Sequence, residues 1–204
     1  ISAGYATDIP PHNLGEVIDA TIHLIDKPNA TYKDLMKFVK GPDFPTGGIV
    51  QGAKGLQKAF KSGKGRIIVR AETEIETLRG GREQIVITEI PYEVNKSVLY
   101  RKMHDIRINK KIDGIADVRD ESDRNGLRMV IELRKNVNAE GVLTYFLKNT
   151  DLQVSYNYNV VLIDDKQPKQ LGLKEILTSY LSFRKEVILR RTDNLLKKDQ
   201  AREH

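Results

Sequence analysis

At 204 residues the chain is long enough for one domain of ordinary size plus an appendage, and 39% hydrophobic with 30% charged residues supports a packed core rather than wholesale disorder. The absence of cysteine excludes disulfides, thiolate metal sites and cysteine nucleophiles, and fits a reducing, intracellular setting. No signal peptide is visible, no apolar run approaches the roughly 18 residues of a membrane span, and the net charge is +6.

In chain order, Asn13 is placed to cap a helix over LGEVIDATIHLID, where Leu14, Val17, Ile18, Ile22 and Ile25 fall at helical spacing. Thr31 with Asp34 forms the pattern of a capping box opening a second short helix, YKDLMKFV. The run GPDFPTGG, with two prolines and three glycines, demands a rigid loop. A third helix, AKGLQKAFKSG, ends at Gly63 as a left-handed cap. The period then changes to two: GRIIVRAETEIETL and REQIVITEI read as strands flanking RGGR, whose Gly80-Gly81 suits a tight hairpin. Pro91 stops the second strand, and Asn95 caps a helix through SVLYRKMHDIRINKK. GIADVRDES and LRMVIELRK form a second hairpin, AEGVLTYFLKN a helix, and LQVSYNYNVVLI one or two strands. Helices first and then ββαββαβ predicts an α+β fold, two layers with a largely antiparallel sheet.

From Leu173 onward the pattern is helical without interruption. Ile176, Tyr180, Phe183 and Val187 form a stripe widened by Leu177, Leu181 and Ile188 and continued by Leu195 and Leu196. Over residues 173–204 such a helix would run roughly 48 Å, and its stripe requires a partner helix of the coiled-coil type.

Charge is unevenly placed. From Lys166 to His204 ten Lys/Arg face five acids, and between Asp43 and Glu72 stand Lys54, Lys58, Lys61, Lys64, Arg66 and Arg70 with no acid among them. Lys54, Lys58 and Lys61 share one helical face, and Lys64 and Arg66 follow from a glycine turn. A solvated face is the plain explanation; a face that tracks phosphates is the other, each contact then adding salt sensitivity through counterion release.

Other motifs reduce to ordinary structure. Glu121, Asp123, Asn125, Gly126 and Glu132 occupy calcium-loop positions, but Leu127, Met129, Ile131 and Leu133 alternate as a strand, and a hairpin turning at Asn125-Gly126 explains them without a metal. SGKGR lacks the flanking residues of a phosphate-binding loop. Asp117, Asp120, Glu121 and Asp123 have Arg119, Arg124 and Arg128 as neighbours to pair with. His12, His23, His104 and His204 lack metal-ligand spacing, the tyrosine–cation adjacency Tyr100-Arg101 sits on an amphipathic helix, and Asn29-Ala30-Thr31 is a chance sequon. The residues themselves supply no active site.

GYATDIPPHNL, GPDFPTGG, ITEIPYEVNK and RDESDRNGLR, in this order across the whole chain, resemble successive motifs of the A subunit of bacterial type IIA DNA topoisomerases, the breakage-reunion subunits of gyrase and topoisomerase IV. Gly4-Tyr5-Ala6-Thr7 looks more like topoisomerase IV than like gyrase, which remains the alternative. The resemblance implies a DNA-bending tower domain over residues 1–165, with 1–50 connecting from an upstream winged-helix domain, and the first part of a long coiled-coil arm over 166–204. It implies that the nucleophilic tyrosine lies upstream of Ile1, so this piece has no catalytic residue and is inactive alone. Ile1 matches the family's wedge, an isoleucine inserted between base pairs to bend the duplex. The implied partners are double-stranded DNA, the ATPase B subunit, and a second copy of the A subunit. Mg²⁺ and ATP belong to the B subunit, with no cofactor in this piece, in a cytoplasmic, chromosome-associated enzyme that is an ATP-dependent isomerase. DNA binding is assigned to Ile1 and, from the charge count, to Lys54, Lys58, Lys61, Lys64, Arg66 and Arg70. Two rival readings are a structural or dimerisation module without its own DNA binding, and an autonomous enzyme.

Overall fold

The structure, a computed structural model, describes residues 4–203; Ile1, assigned as a wedge, lies outside the described residues. The elements are α1 (Leu14–Asp26), α2 (Tyr32–Leu35), β1 (Ile49–Gln51), α3 (Ala53–Ser62), β2 (Lys64–Arg70), β3 (Glu72–Leu78), β4 (Arg82–Glu89), α4 (Lys96–Ile108), β5 (Ile115–Asp120), β6 (Met129–Leu133), α5 (Ala139–Asn149), β7 (Gln153–Asn159), β8 (Val161–Asp164), β9 (Gln167–Gln170) and α6 (Leu173–Glu203). This is the predicted α+β class with antiparallel sheets and a long C-terminal helix. The chain divides into two compact units: one of residues up to Gly41, Lys54–Gly65 and those from Asn157 on, the other of Pro42–Ala53 and Arg66–Tyr156.

The second unit is built on the antiparallel sheet β3-β4-β6-β5. Strand alternation sends Ile85 and Ile87 of β4 and Met129 and Ile131 of β6 to one face, where Leu99 and Met103 of α4 and Val142 and Phe146 of α5 close the core. Both helices start on an asparagine: Asn95 Oδ1 accepts from Val98 N at 3.1 Å, and Asn138 Oδ1 from Gly141 N at 3.1 Å. The β3–β4 hairpin turns at Gly80 and Gly81, both at positive φ, as the sequence predicts. The second hairpin closes through the Asp123↔Gly126 bridge, so Asp123, Asn125 and Gly126 lie in its turn while Glu132 sits in β6.

The single strand read over GRIIVRAETEIETL is two. At Ala71 the chain leaves the three-stranded sheet β1-β2-β7 and enters the four-stranded one. The buried Ala71 still gives its N–H to Leu152 O at 2.8 Å, beside the start of β7, and β3 begins with a register shift after Glu72. Two further strands pass unread in the sequence. β1 has only three residues, and β9 contains Pro168 in a hairpin with β8.

In the first unit, α1 and α2 carry their expected caps. Asn13 Oδ1 accepts from Glu16 N at 3.3 Å, and Asp34 Oδ2 accepts from Thr31 N at 3.0 Å and Thr31 Oγ1 at 2.8 Å. The Thr31 backbone bond foremost, with the hydroxyl and Lys37, holds the Asp34 carboxyl well below the usual carboxylate range. Helix α2 has only four residues before its turns loosen. The apolar residues of α1 divide between two roles. Ala20 and Leu24 form the buried face, while Leu14, Ile18, Ile22 and Ile25 stay exposed and line an open apolar trough with Tyr180 and Ile188 of α6. Helix α6 spans 31 residues, about 46 Å. Leu177 is buried near its start, but no described residue beyond Val187 is even half-buried.

Candidate nucleic-acid interface

Helix α3 is sharply divided. Leu56, Ala59 and Phe60 are buried on one side, and at 100° per residue Lys54, Lys58 and Lys61 fall within about 60° of one another on the opposite side. All three are exposed, as is Lys64, the first residue of β2. Gly63, at φ 72°, ends the helix in the left-handed conformation and redirects the chain. These four lysines belong to the first unit. None of them forms an ion pair among the described residues, although the surface elsewhere pairs Lys37 with Asp34, Lys96 with Asp120 and Lys169 with Asp164.

Arg66 and Arg70 belong to the second unit. Ile67 and Val69 are buried beneath β2, so Arg66, Ile68 and Arg70 project from its other face. Arg66 Nη2 donates to Ser155 Oγ at 2.6 Å, and Arg70 donates from Nε and Nη2 to Gln153 Oε1 at 2.9 and 2.7 Å. Neither acceptor carries charge. The GPDFPTGG loop reaches the same strand. Gly48 N donates to Glu89 Oε2 at 2.5 Å, a Cβ on Gly47 would overlap that carboxylate, and one on Gly48 would lie 3.0 Å from Arg70 O. Phe44 anchors the loop, its ring 5.5 Å from Tyr92 and 5.6 Å from Tyr156.

The acidic residues singled out in the sequence are consumed by structure. Across the outer face of the four-stranded sheet, Glu76, Gln84, Glu132 and Asp117 stand in one cross-strand row. Arg82 Nη1 meets Glu132 at 2.6 Å, Arg119 Nη1 meets it at 2.7 Å, and Arg128 Nη2 meets Glu76 at 3.0 Å. Arg119 and Arg128 also hold Glu121, and Arg107 holds Asp117. Arg124, the third expected partner, makes no ion pair among the described residues; Asp123 instead accepts from Asn125 N at 2.8 Å. No group of three or more His, Cys, Asp or Glu side chains able to hold a metal ion occurs among the described residues. Tyr100 donates its hydroxyl to Val118 O at 3.2 Å, an ordinary packing role.

This network makes a pH prediction. The Arg128 hydrogen bond foremost, with that from Gln84, lowers the Glu76 carboxyl below its ordinary 4.5. A depressed carboxylate contributes stability that is fully present above about pH 4.5 and is lost as pH falls through the folded value. The pair is partly exposed, so the effect is small. Between pH 5.5 and 3.5 wild-type Tm should fall by about 1–3 °C more than that of Glu76→Gln; parallel curves would remove Glu76 from the acid transition.

The family described as the A subunit of DNA gyrase/topoisomerase IV has a model that matches residues 1–204. The chain belongs to that family. Its similarity to curated topoisomerase members is high. It is 60% identical over 192 residues to the A subunit of DNA topoisomerase 4 from Streptococcus pyogenes serotype M18 (strain MGAS8232), covering 94% of this chain and 23% of the relative. It is 57% identical over 204 residues to the same subunit of Bacillus subtilis (strain 168), covering 100% and 25%. Against the subunit of that name from Streptococcus pneumoniae serotype 4 (strain ATCC BAA-334 / TIGR4) the identity is 58% over 204 residues, covering 100% and 25%. The chain thus spans about a quarter of the length of these relatives.

The sequence reading found the lysines through helical spacing and an acid-free interval. It missed Gln153, Ser155 and Glu89, neutral or isolated side chains whose partners lie far away in sequence. Gln153 and Ser155 lie in none of the motifs, and Glu89, although within ITEIPYEVNK, carries no local sign that it binds Gly48.

Proposed function

We propose that the chain is the part of a bacterial topoisomerase IV A subunit that grips and bends the DNA segment to be cut, for a tyrosine nucleophile carried elsewhere in the parent polypeptide. The observation that carries this reading is a run of basic side chains left without carboxylate partners, in a protein whose other strand arginines are neutralised. Lys54, Lys58, Lys61 and Lys64 supply one such surface, and Arg66 and Arg70 supply another on the second unit. Contacts of this kind hold phosphates and read no base sequence. Residues 1–165 act as the tower, 1–50 as its connection, and 166–204 as the start of a coiled-coil arm. Ile1 is the wedge that unstacks a base step, a cost offset by the contacts that bending allows.

In the parent enzyme two A subunits and two ATPase B subunits pass one duplex through a break in another, on the chromosome in the cytoplasm. The B subunits hold Mg²⁺ and ATP. The high identity to topoisomerase 4 relatives and the Gly4-Tyr5-Ala6-Thr7 stretch favour this over gyrase. A second reading, a packing module, is favoured by the apolar trough between α1 and α6 and by the exposed far half of α6.

Titrating a fluorescein-labelled duplex into this chain separates the two. Binding with micromolar affinity at 50 mM salt, lost as salt rises, is expected; no binding at low salt leaves the packing role alone. With ATP and the B subunit, the chain should show no supercoil relaxation, and activity would overturn the placement of the nucleophile.

A further inference from the structure

We infer that Gln153 and Ser155 are positioning residues, uncharged braces on β7 that hold the Arg70 and Arg66 guanidiniums in place for DNA phosphates. The inference rests on the reading of β2 as a DNA-contacting strand and names residues that this reading does not reach.

The second unit treats its strand arginines in two ways. Arg82, Arg119 and Arg128 on and beside the four-stranded sheet, and Arg107 on α4, are each bound to carboxylates. Arg66 and Arg70 are instead held by a hydroxyl and an amide oxygen. The difference is chemical. A carboxylate partner neutralises the guanidinium and competes with any phosphate for its donors. A neutral acceptor fixes the side chain and leaves its full positive charge available. Fixing it beforehand removes rotamer freedom that would otherwise be lost on binding.

The geometry leaves donors to spare. A guanidinium has five N–H groups; Arg70 directs Nε and Nη2 at Gln153 Oε1, which leaves Nη1 uncommitted to that brace. Arg66 uses only Nη2 on Ser155. Both arginines rise from the central strand of the β1-β2-β7 sheet, over the buried Ile67 and Val69. Gln153 and Ser155 are two apart on β7 and so share its face. Close approach of Gly48 to the Arg70 carbonyl, pinned by Glu89, fixes the backbone from the other side.

The test is the salt dependence of duplex binding by the full-length A subunit, followed by fluorescence anisotropy. Removing one phosphate contact flattens the slope of log K against log salt by about 0.9 and weakens binding about three- to tenfold at 100 mM salt. Arg70→Gln should do this. Gln153→Ala should reproduce most of the slope change although it removes no charge, and the double variant should be no worse than Arg70→Gln alone. A direct neutral contact from Gln153 to DNA would weaken binding without altering the slope. Should the alanine variant fold poorly, Gln153→Glu keeps the bonds to Arg70 as an ion pair, and it should bind at least as weakly as Arg70→Gln. A wild-type slope in Gln153→Ala, or wild-type affinity in Gln153→Glu, with Arg70→Gln impaired overturns the brace and leaves the DNA-contact reading intact. An unchanged slope in Arg70→Gln overturns both at this strand. Ser155→Ala against Arg66→Gln repeats the comparison.

Discussion

Replacing Lys58, Lys61 and Lys64 together by alanine in the full-length protein should flatten the slope of log binding constant against log salt by about 2.7, roughly 0.9 for each phosphate no longer neutralised. Raising salt from 50 to 200 mM would then cost the variant about 40-fold less affinity than it costs the wild type. The substitution suits the question because it leaves the fold alone. All three side chains are exposed, and the buried side of α3 is made by Leu56, Ala59 and Phe60. Alanine has the best helix propensity, so α3 keeps its helical circular dichroism. No carboxylate among the described residues is left behind by removing these lysines, so no new unpaired charge confounds the result. An unchanged slope in a folded variant would reduce the lysine face to a solvated surface.

The local punctuation of the chain was legible in its sequence. Asn13 and Asn95 cap where their position says, Gly63 turns left-handed at the end of α3, and Gly80-Gly81 and Asn125-Gly126 lie in hairpin turns. Each is a backbone requirement satisfied by a single residue type within a few positions. The break at Ala71 carried no such signal. Ile67, Val69, Ala71 and Ile75 keep the same parity through it, so the alternation reads as one strand. The change of sheet is set by partners, β7 from beyond α5 beside β2 and β4 beside β3, and not by anything at Ala71 itself. The β8–β9 turn was silent for a related reason: Asp165 and Lys166 adopt positive φ without glycine or asparagine. The stripe on α1 was visible, but its periodicity gives a face and not its occupant; Ala20 and Leu24 took the core instead. The site divides in the same way. Lysines on one face of a helix announce themselves by spacing, whereas the bonds from Arg66 and Arg70 span 89 and 83 residues to side chains that look like any half-exposed strand.

Gly172→Ala should lower stability by about 1–3 kcal/mol, the usual cost of forcing atoms into a packed contact. Gly172 is buried where β9 hands over to α6. A Cβ there would lie 2.5 Å from Lys61 O and 2.7 Å from Phe60 O, the carbonyls that end α3, and a Cβ on Gly63 would collide with Leu171 O in return. These are backbone atoms, which cannot swing aside as a side chain does. Gly172 also starts α6: its N–H donates to Glu175 Oε2 at 2.7 Å, and its carbonyl accepts from Ile176 N at 3.0 Å. Relief of the clash therefore has to shift either the first turn of α6 or the last turn of α3, and the latter carries Lys58 and Lys61. For a chain of this size such a loss lowers Tm by about 3–10 °C. A partial flattening of the salt slope should accompany it, although no charge has been removed. Calorimetry and anisotropy on the same variant read the two effects. Loss of Tm with a wild-type slope means that α6 yields and the lysine face stays put, and an unchanged Tm would show that the two helix ends do not meet backbone to backbone.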